Sequence, residues 1–222
     1  GALAARGLIG EVGHLNHYAR ADEADGVATA DAQFREVIHG LPGPVSTSNS
    51  AAVLRHGAQA AATQWVRPGL ALYGASPFAD RSAADLDLLP AMSLHSQVVG
   101  IQRVKAGAGV GYSGAFQATE STDVGIVTCG YADGYPRHAP TGTPVMVAGT
   151  RTRLLGRVSM DMMAVDLGPV PQAAIGAPVT LWGADGLSVE EVASSAGTIA
   201  AQLLTGLSAR VPVAQAGAGP AR

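Results

Sequence analysis

A chain of 222 residues, 47% of them hydrophobic, is no disordered tail and is long enough to bury a core and to divide into two units. Its net charge of -3, with thirteen arginines and one lysine scattered singly, argues against a nucleic-acid partner. The single cysteine forms no internal disulfide, and no apolar run approaches the ~20 residues of a membrane span, so we expect a cytoplasmic protein without a membrane partner.

The chain begins at Gly1 without a charged region or cleavage site, so we expect a cut or misassigned end and no targeting signal.

The first part of the chain alternates between strand and helix patterns. As far as about Asp87, short apolar strand candidates are followed by helical stretches. Two of these, Thr29 to His39 and Ser50 to His56, each open with a residue able to cap a helix. This alternation predicts βα units.

From about Met92 the pattern changes to β-branched runs bounded by glycine. Six such runs predict strands: Gln97 to Val104, Val124 to Cys129, Pro144 to Ala148, Arg151 to Leu155, Met162 to Asp166 and Pro178 to Trp182. The pair Gly149-Thr150 predicts a tight hairpin between two of them. Ser188 and Glu191 have the spacing of a capping box, which predicts a helix that continues through Leu204.

The boundary between these two patterns is expected in the stretch from Asp80 to Leu89, which is rich in serine, alanine and aspartate. The last residues are rich in glycine, alanine and proline and predict a frayed end. The chain is therefore expected to contain part of one domain, a second domain that is mainly β, and a tail, over residues 1–88, 89–214 and 215–222.

Seven short strings give a more specific indication. Four of them carry most of the indication: Asn16-His17-Tyr18-Ala19 with Ala21-Asp22-Glu23, Asn49-Ser50-Ala51-Ala52, Val66-Arg67-Pro68-Gly69-Leu70-Ala71-Leu72-Tyr73-Gly74, and Gly130-Tyr131-Ala132-Asp133-Gly134-Tyr135-Pro136-Arg137. Three more accompany them: Val110-Gly111-Tyr112-Ser113-Gly114, Gly156-Arg157-Val158-Ser159-Met160-Asp161-Met162, and Arg210-Val211-Pro212. In order and content they resemble alanine racemase, over nearly the whole chain after about Gly7.

The resemblance implies a fold of the class α/β plus β, in which part of a (β/α)₈ barrel is followed by a mainly β domain. It also implies pyridoxal 5'-phosphate as cofactor, which the family binds through a lysine on the first barrel strand. That motif is missing here, and the only lysine, Lys105, precedes a turn in the β domain. A whole barrel needs roughly 250 residues. We therefore expect about half of the barrel to be absent and this chain alone to be inactive.

The same resemblance implies the activity: interconversion of L-alanine and D-alanine, which supplies D-alanine for peptidoglycan. Inversion at an α-carbon requires two acid/base groups, one on each face. In the family these are the cofactor lysine and a tyrosine, which the resemblance assigns to Tyr112. Because a phenol is a poor base at neutral pH, neighbours must favour the phenolate. The family supplies a histidine and an arginine, matching His17 and Arg67, across a head-to-tail homodimer.

The remaining site residues are likewise implied by the resemblance. Arg67 faces the pyridine nitrogen, and Ser50 with the backbone N–H groups of Gly69 and Leu70 holds the phosphate. The backbone of Met160 lies against the substrate carboxylate. Four residues line the access corridor: Tyr131, Arg137, Arg157 and Asp161. Ala209 departs from the tyrosine that many members have before Arg-Val-Pro, which removes one contact near the phosphate.

Other interpretations of single motifs are weaker. His14 and His17 could suggest a metal pair, but no third ligand motif follows, so no metal is expected. The stretch Gly109 to Gly114 matches G-x-G-x-x-G, yet no helical apolar period follows, so a dinucleotide site is rejected. Cys129 lies in an apolar run and is expected to be a small core residue.

Two other functions remain open at this point. Without the cofactor lysine, the chain could be a non-catalytic or degenerate fragment that acts only as a dimer partner. Among enzymes, a related racemase for serine or for a broad range of amino acids is the alternative.

Overall fold

In the computed structural model, which describes residues 2–57 and 63–215, the chain divides into two units, Gly1–Ala91 and Met92–Arg222. Apart from residue 215, the tail predicted at 215–222 lies outside the described residues. No helix within the described ranges has the length and apolar character that crossing a membrane requires.

The first unit contains a three-stranded parallel sheet in the order β1-β2-β3. Its strands are β1 (His14–Leu15), β2 (Val45–Asn49) and β3 (Trp65–Arg67). The described helices of this unit are α1 (Ala2–Ala5), α2 (Ala28–Val37), α3 (Ser50–Arg55) and α4 (Gly69–Leu72). Helix α2 lies in sequence between β1 and β2, and α3 between β2 and β3. The predicted alternation of strand and helix is therefore confirmed.

The residues that begin these helices differ from the prediction. Helix α3 is capped by Asn49, whose side-chain oxygen accepts a hydrogen bond of 3.0 Å from the Ala52 backbone N–H, and Ser50 is its first residue. Helix α2 begins at Ala28 after Val27, which has no side-chain cap, so Thr29 lies inside the helix. Helix α2 therefore depends on packing for its start. The core of the unit comprises Tyr18, Ala21, Val27, Ala51, Ala52 and Phe78.

The second unit is built on a closed barrel of six antiparallel strands in the order β10-β7-β4-β11-β8-β9. The barrel strands are β4 (Leu94–Val104), β7 (Thr122–Val127), β8 (Pro144–Val147), β9 (Thr150–Leu155), β10 (Met163–Asp166) and β11 (Pro178–Trp182). A separate hairpin pairs β5 (Gly109–Val110) with β6 (Phe116–Gln117). All six predicted β runs form strands, with ends shifted by up to three residues.

The barrel strands carry most of the core of the second unit. Their almost completely buried apolar side chains include Val98, Val124, Val145, Leu154, Val165, Val179 and Leu181. Because each strand has a paired neighbour on both sides, the barrel leaves no open edge.

The hairpin between β8 and β9 turns one residue earlier than predicted. Val147 pairs with Thr150, so the turn consists of Ala148 and Gly149 and not of Gly149-Thr150. Both turn residues have left-handed backbone angles, with φ of 48° and 75°. Two consecutive residues of this kind match the twist of the flanking strands, which is the reason for the shift.

The predicted helix from Ser188 to Leu204 is two helices, α5 (Val189–Ser195) and α6 (Ala200–Thr205). Ser188 caps α5 as expected, since its side chain accepts from the Glu191 N–H at 3.2 Å. Helix α5 then ends because Gly197 is left-handed, with φ of 69°. The backbone N–H of Gly197 donates to Ser194 and that of Thr198 to Ala193, the hydrogen bonds that terminate a helix in a Schellman motif.

Candidate active site

The site residues predicted for the first unit lie at one edge of its sheet. His17 follows β1 by two residues, Ser50 comes directly after β2, and Arg67 is the last residue of β3. Because the strands are parallel, their carboxyl ends meet at the same edge, where open α/β sheets place their ligands. Gly69 and Leu70 open α4 just beyond β3. The sheet thus brings all five residues together.

Arg67 is half-buried and fixed by two neighbours. Its Nη1 donates to Ser46 Oγ at 2.7 Å, and its Nη2 donates to the Asn16 backbone oxygen at 2.8 Å. Among the residues that the structure describes, no carboxylate lies within ion-pair distance of this guanidinium. Sequence reasoning did not identify the contacts of Arg67 with Ser46 and with the Asn16 backbone oxygen, because these residues are 21 and 51 positions from Arg67 and no local pattern shows that they meet.

His17 is exposed, and Asn49 lies beside it. The Asn49 oxygen accepts the cap hydrogen bond from Ala52, so its Nδ2 must be the atom that faces the Tyr18 backbone oxygen at 3.1 Å and His17 Nε2 at 3.4 Å. Since an amide nitrogen only donates, a hydrogen bond between these two atoms requires His17 Nε2 to accept. The preference of Asn for the N-cap position could have identified Asn49.

Ser50 is buried and connects α3 to α4. Its hydroxyl donates to the Pro68 backbone oxygen at 2.5 Å and accepts from the Ala71 N–H at 3.1 Å. The N–H groups of Gly69 and Leu70 have no acceptor in the described part of the chain. A Cβ at Gly69 would meet nothing within 4 Å. A buried hydroxyl and two free N–H groups therefore lie around one turn, with open space in front of Gly69.

In the second unit, Tyr112 lies on a short 3-10 turn, Tyr112–Gly114, that closes the β5–β6 hairpin. Its side chain is 64% exposed. Ser113, the next residue, is left-handed with φ of 59°, a conformation that non-glycine residues seldom adopt outside functional sites and tight turns. A Cβ on Gly111 would lie 2.9 Å from the Arg157 backbone nitrogen, so the turn packs closely against Arg157. The G-x-G-x-x-G stretch is a hairpin and opens no helix.

Two further loops of this unit carry Tyr131, Met160 and Asp161. The Tyr131 N–H donates to the Ser159 oxygen at 3.0 Å, and the Ala132 N–H donates to the Met160 oxygen at 2.9 Å. The Met160 N–H has no acceptor within residues 2–57 and 63–215. The two loops are thus joined through their backbones, and one N–H donor between them is available to a ligand.

Arg137 and Arg157 line one cavity of about 550 Å³ together with His138. The Arg137 guanidinium lies over the Tyr131 ring, 5.8 Å from its centre. In the described part of the chain neither arginine has a carboxylate partner. Arg137 and Arg157 therefore form one cationic surface beside Tyr131, and Asp161 is not among the residues that line this cavity.

Cys129 and His14, one histidine of the possible metal pair, take no part in these groups. Cys129 is buried just after β7, and burial raises the pKa of its thiol to about 12, so it remains protonated near neutral pH. His14 Nε2 lies 3.1 Å from the Pro42 backbone oxygen. Within the described ranges, no group of three or more His, Cys, Asp or Glu could hold a metal ion.

Comparison with known proteins gives alanine racemases among the relatives of this chain. An alanine racemase of Bordetella petrii is 59% identical over 219 residues, which are 95% of this chain and 57% of the relative. A solved biosynthetic alanine racemase from Pseudomonas aeruginosa matches with a TM-score of 0.85 and 46% identity, over 95% of this chain and 60% of that one. Alanine racemase from Bartonella henselae, solved with covalently bound pyridoxal phosphate, gives 0.77 and 26%, over 92% and 56%.

The chain spans 57% of the length of the Bordetella petrii relative. Two family models match it: the alanine racemase N-terminal domain over residues 2–77 and the alanine racemase C-terminal domain over residues 91–215. Since the second model alone covers more than half of the 222 residues, the chain belongs to the alanine racemase family.

Proposed function

We propose that the protein to which this chain belongs interconverts L-alanine and D-alanine with pyridoxal phosphate and supplies D-alanine for peptidoglycan in the cytoplasm. The observation that carries the proposal is the edge of the first sheet, where Arg67 has no carboxylate partner among the described residues and Ser50, Gly69 and Leu70 offer donors around one turn. No observation favours a serine or broad-specificity racemase, or a non-catalytic dimer partner.

These residues fit a phosphate group. The two free N–H groups of Gly69 and Leu70 are donors of the kind that phosphate oxygens accept. Ser50 can add its hydroxyl by turning from the Pro68 oxygen while still accepting from Ala71. Because Gly69 faces open space, no side chain obstructs the approach.

The aromatic end of the cofactor suits Arg67. When bound, pyridoxal phosphate withdraws electrons from the substrate and acidifies its α-proton. Arg67 is effectively never deprotonated, so it would donate a hydrogen bond to the pyridine nitrogen and leave that nitrogen without a proton. Ser46 and the Asn16 oxygen fix the guanidinium and so determine its direction. His17, beside Asn49, would be the second residue at this edge that the resemblance assigns to the tyrosine base.

We assign Tyr112 as the acid/base group on one face of the α-carbon. Its phenol is exposed on a turn held by glycines at 111 and 114, which keeps the Oη available for proton transfer. The family uses a lysine on the opposite face, and the single lysine in this sequence is Lys105. Lys105 is exposed and follows the end of β4.

The substrate carboxylate would bind the free Met160 N–H, and the corridor would comprise Tyr131, Arg137, Arg157 and Asp161. Two arginines without carboxylate partners in the described residues would attract the carboxylate of an amino acid.

We further propose that the first unit is the C-terminal part of a (β/α)₈ barrel, within domain limits of 1–88 and 89–214. In this proposal a head-to-tail homodimer supplies His17 and Arg67 of one subunit to Tyr112 of the other.

The test is to join this chain to the upstream segment of the Bordetella petrii relative and to measure racemisation of alanine in both directions. Tyr112→Phe should lower the rate by about 10²- to 10⁴-fold, the usual contribution of a positioned acid/base group. It should leave solvent exchange of the α-proton in one enantiomer only. Tyr73→Phe, at another exposed tyrosine, is the matched control. Ordinary activity of Tyr112→Phe in both directions would show that Tyr112 is not the base.

A further inference from the structure

Arg210 belongs to the Arg-Val-Pro string near the end of the chain, and none of the proposed roles uses it. Its Nε donates to Asp133 Oδ1 at 2.7 Å, and its Nη2 donates to Asp161 Oδ1 at 2.7 Å. Arg210 is 77 positions from Asp133 and 49 positions from Asp161 in the sequence. One guanidinium therefore connects the C-terminal segment to both loops that carry Tyr131 and Met160.

Hydrogen bonds other than those to Arg210 fix Asp133 in its loop. Its other carboxylate oxygen accepts from the Gly130 N–H at 2.8 Å, and its backbone oxygen accepts from the Ser208 N–H at 3.0 Å. The C-terminal segment also packs tightly here, since a Cβ on Gly134 would lie 2.2 Å from the Gly206 oxygen. Arg210 therefore binds a carboxylate that is already held in place.

Asp161 is in a different situation. Within residues 2–57 and 63–215, its carboxylate has Arg210 as its one hydrogen-bond partner. Asp161 is exposed and directly follows Met160, whose N–H is free. Without Arg210, this loop would depend on the two backbone hydrogen bonds that it accepts from Tyr131 and Ala132.

We propose that Arg210 is a positioning residue, which binds Asp133 and Asp161 together and so holds the Met160 N–H in the direction that receives the substrate carboxylate. This rests on the proposed function for its chemistry, but the connection between the loops is a property of this unit alone. Arginine suits the role because its planar fork presents Nε and Nη2 to two acceptors at once, whereas lysine offers one compact charge.

The first test uses the joined chain described above. Arg210→Ala should raise the KM for alanine about tenfold and change kcat less than about threefold, since it misplaces a binding group and leaves Tyr112 intact. Arg210→Lys should give an intermediate KM. Arg151→Ala, which removes an exposed arginine paired with Glu191 in the same unit, should leave both constants unchanged. A purely structural role would instead lower the amount of folded enzyme, and with it the apparent kcat, at constant KM.

The second test needs no activity. In this chain, hydrogen exchange at the Tyr131 and Ala132 amides should become at least about tenfold faster in Arg210→Ala and stay constant in Arg151→Ala. Unchanged exchange together with an unchanged KM would overturn the proposal. An inactive wild-type joined chain would refute the proposed function instead, and the exchange rates would then decide whether Arg210 holds the loops.

Discussion

The two units differ in whether their sheets have unpaired edge strands. In the first unit the described sheet has three parallel strands, and β1 and β3 are its edges. Trp65 on β3 is 67% exposed, and Leu15 on β1 is 66% exposed. In the second unit the barrel closes, and each of its six strands has a partner on both sides. Closure lets a unit satisfy its own backbone, so we expect the second unit to be much the more stable.

The largest expected difference concerns proteolysis. Limited digestion of the chain should cut the first unit at least about ten times faster than the second, because cleavage follows local opening and the open sheet buries less of its surface. A fragment that begins near Met92 should persist, identified by mass spectrometry. Survival of the first unit while the barrel is digested would contradict the comparison.

The next largest effect is on the barrel core. Leu154→Ala should lower the free energy of unfolding of the second unit by about 3 kcal/mol, since it leaves a cavity at a completely buried position. The two tryptophans make this measurable, because Trp65 lies in the first unit and Trp182 in the second. In a Trp65→Phe background, urea unfolding followed by fluorescence reports the second unit alone.

The control for that measurement is Ile175→Ala. Ile175 is 69% exposed, so its truncation should change the same free energy by less than about 0.5 kcal/mol. Equal losses for Leu154→Ala and Ile175→Ala would mean that the barrel interior is not the source of stability.

The smallest effect compares one helix cap from each unit. Asn49→Ala and Ser188→Ala each remove a side-chain acceptor from a helix N-terminus, which costs about 1 kcal/mol. Hydrogen exchange should locate the first loss in α3 and the second in α5. Asn49→Asp keeps the cap but removes the Nδ2 donor, so it should preserve α3 and lose the contacts to His17 and the Tyr18 oxygen. If either variant changed hydrogen exchange in both units, the loss of a cap would not be confined to the unit that contains it.

The sequence predicted local features of this molecule well, and pairing over long distances less well. Strands such as β8 and β11 were predictable because β-branched residues bounded by glycine favour a strand whatever its partner is. The order of the barrel strands was not, since β4 lies between β7 and β11 for reasons that local patterns do not contain. The end of α5 was missed because Gly197 was counted as an ordinary helical position.

The site shows the same division. Ser50, Arg67 and Tyr112 were identified from strings that resemble a family, and their roles remain proposals. Asn49 was within those strings, and its contact with His17 was not foreseen because it joins residues 32 positions apart. Arg210 likewise belonged to a string, and its role was not foreseen because its hydrogen bonds to two distant carboxylates depend on the folded loops.

The turn at Ala148 and Gly149 has a consequence for engineering. An alanine in the left-handed region is strained by its Cβ, and glycine or asparagine accepts the same angles more readily. The natural chain therefore retains a position at which one substitution could add stability without touching the core or the candidate site. Such positions are expected in proteins that selection keeps above a threshold of stability and does not drive to the maximum.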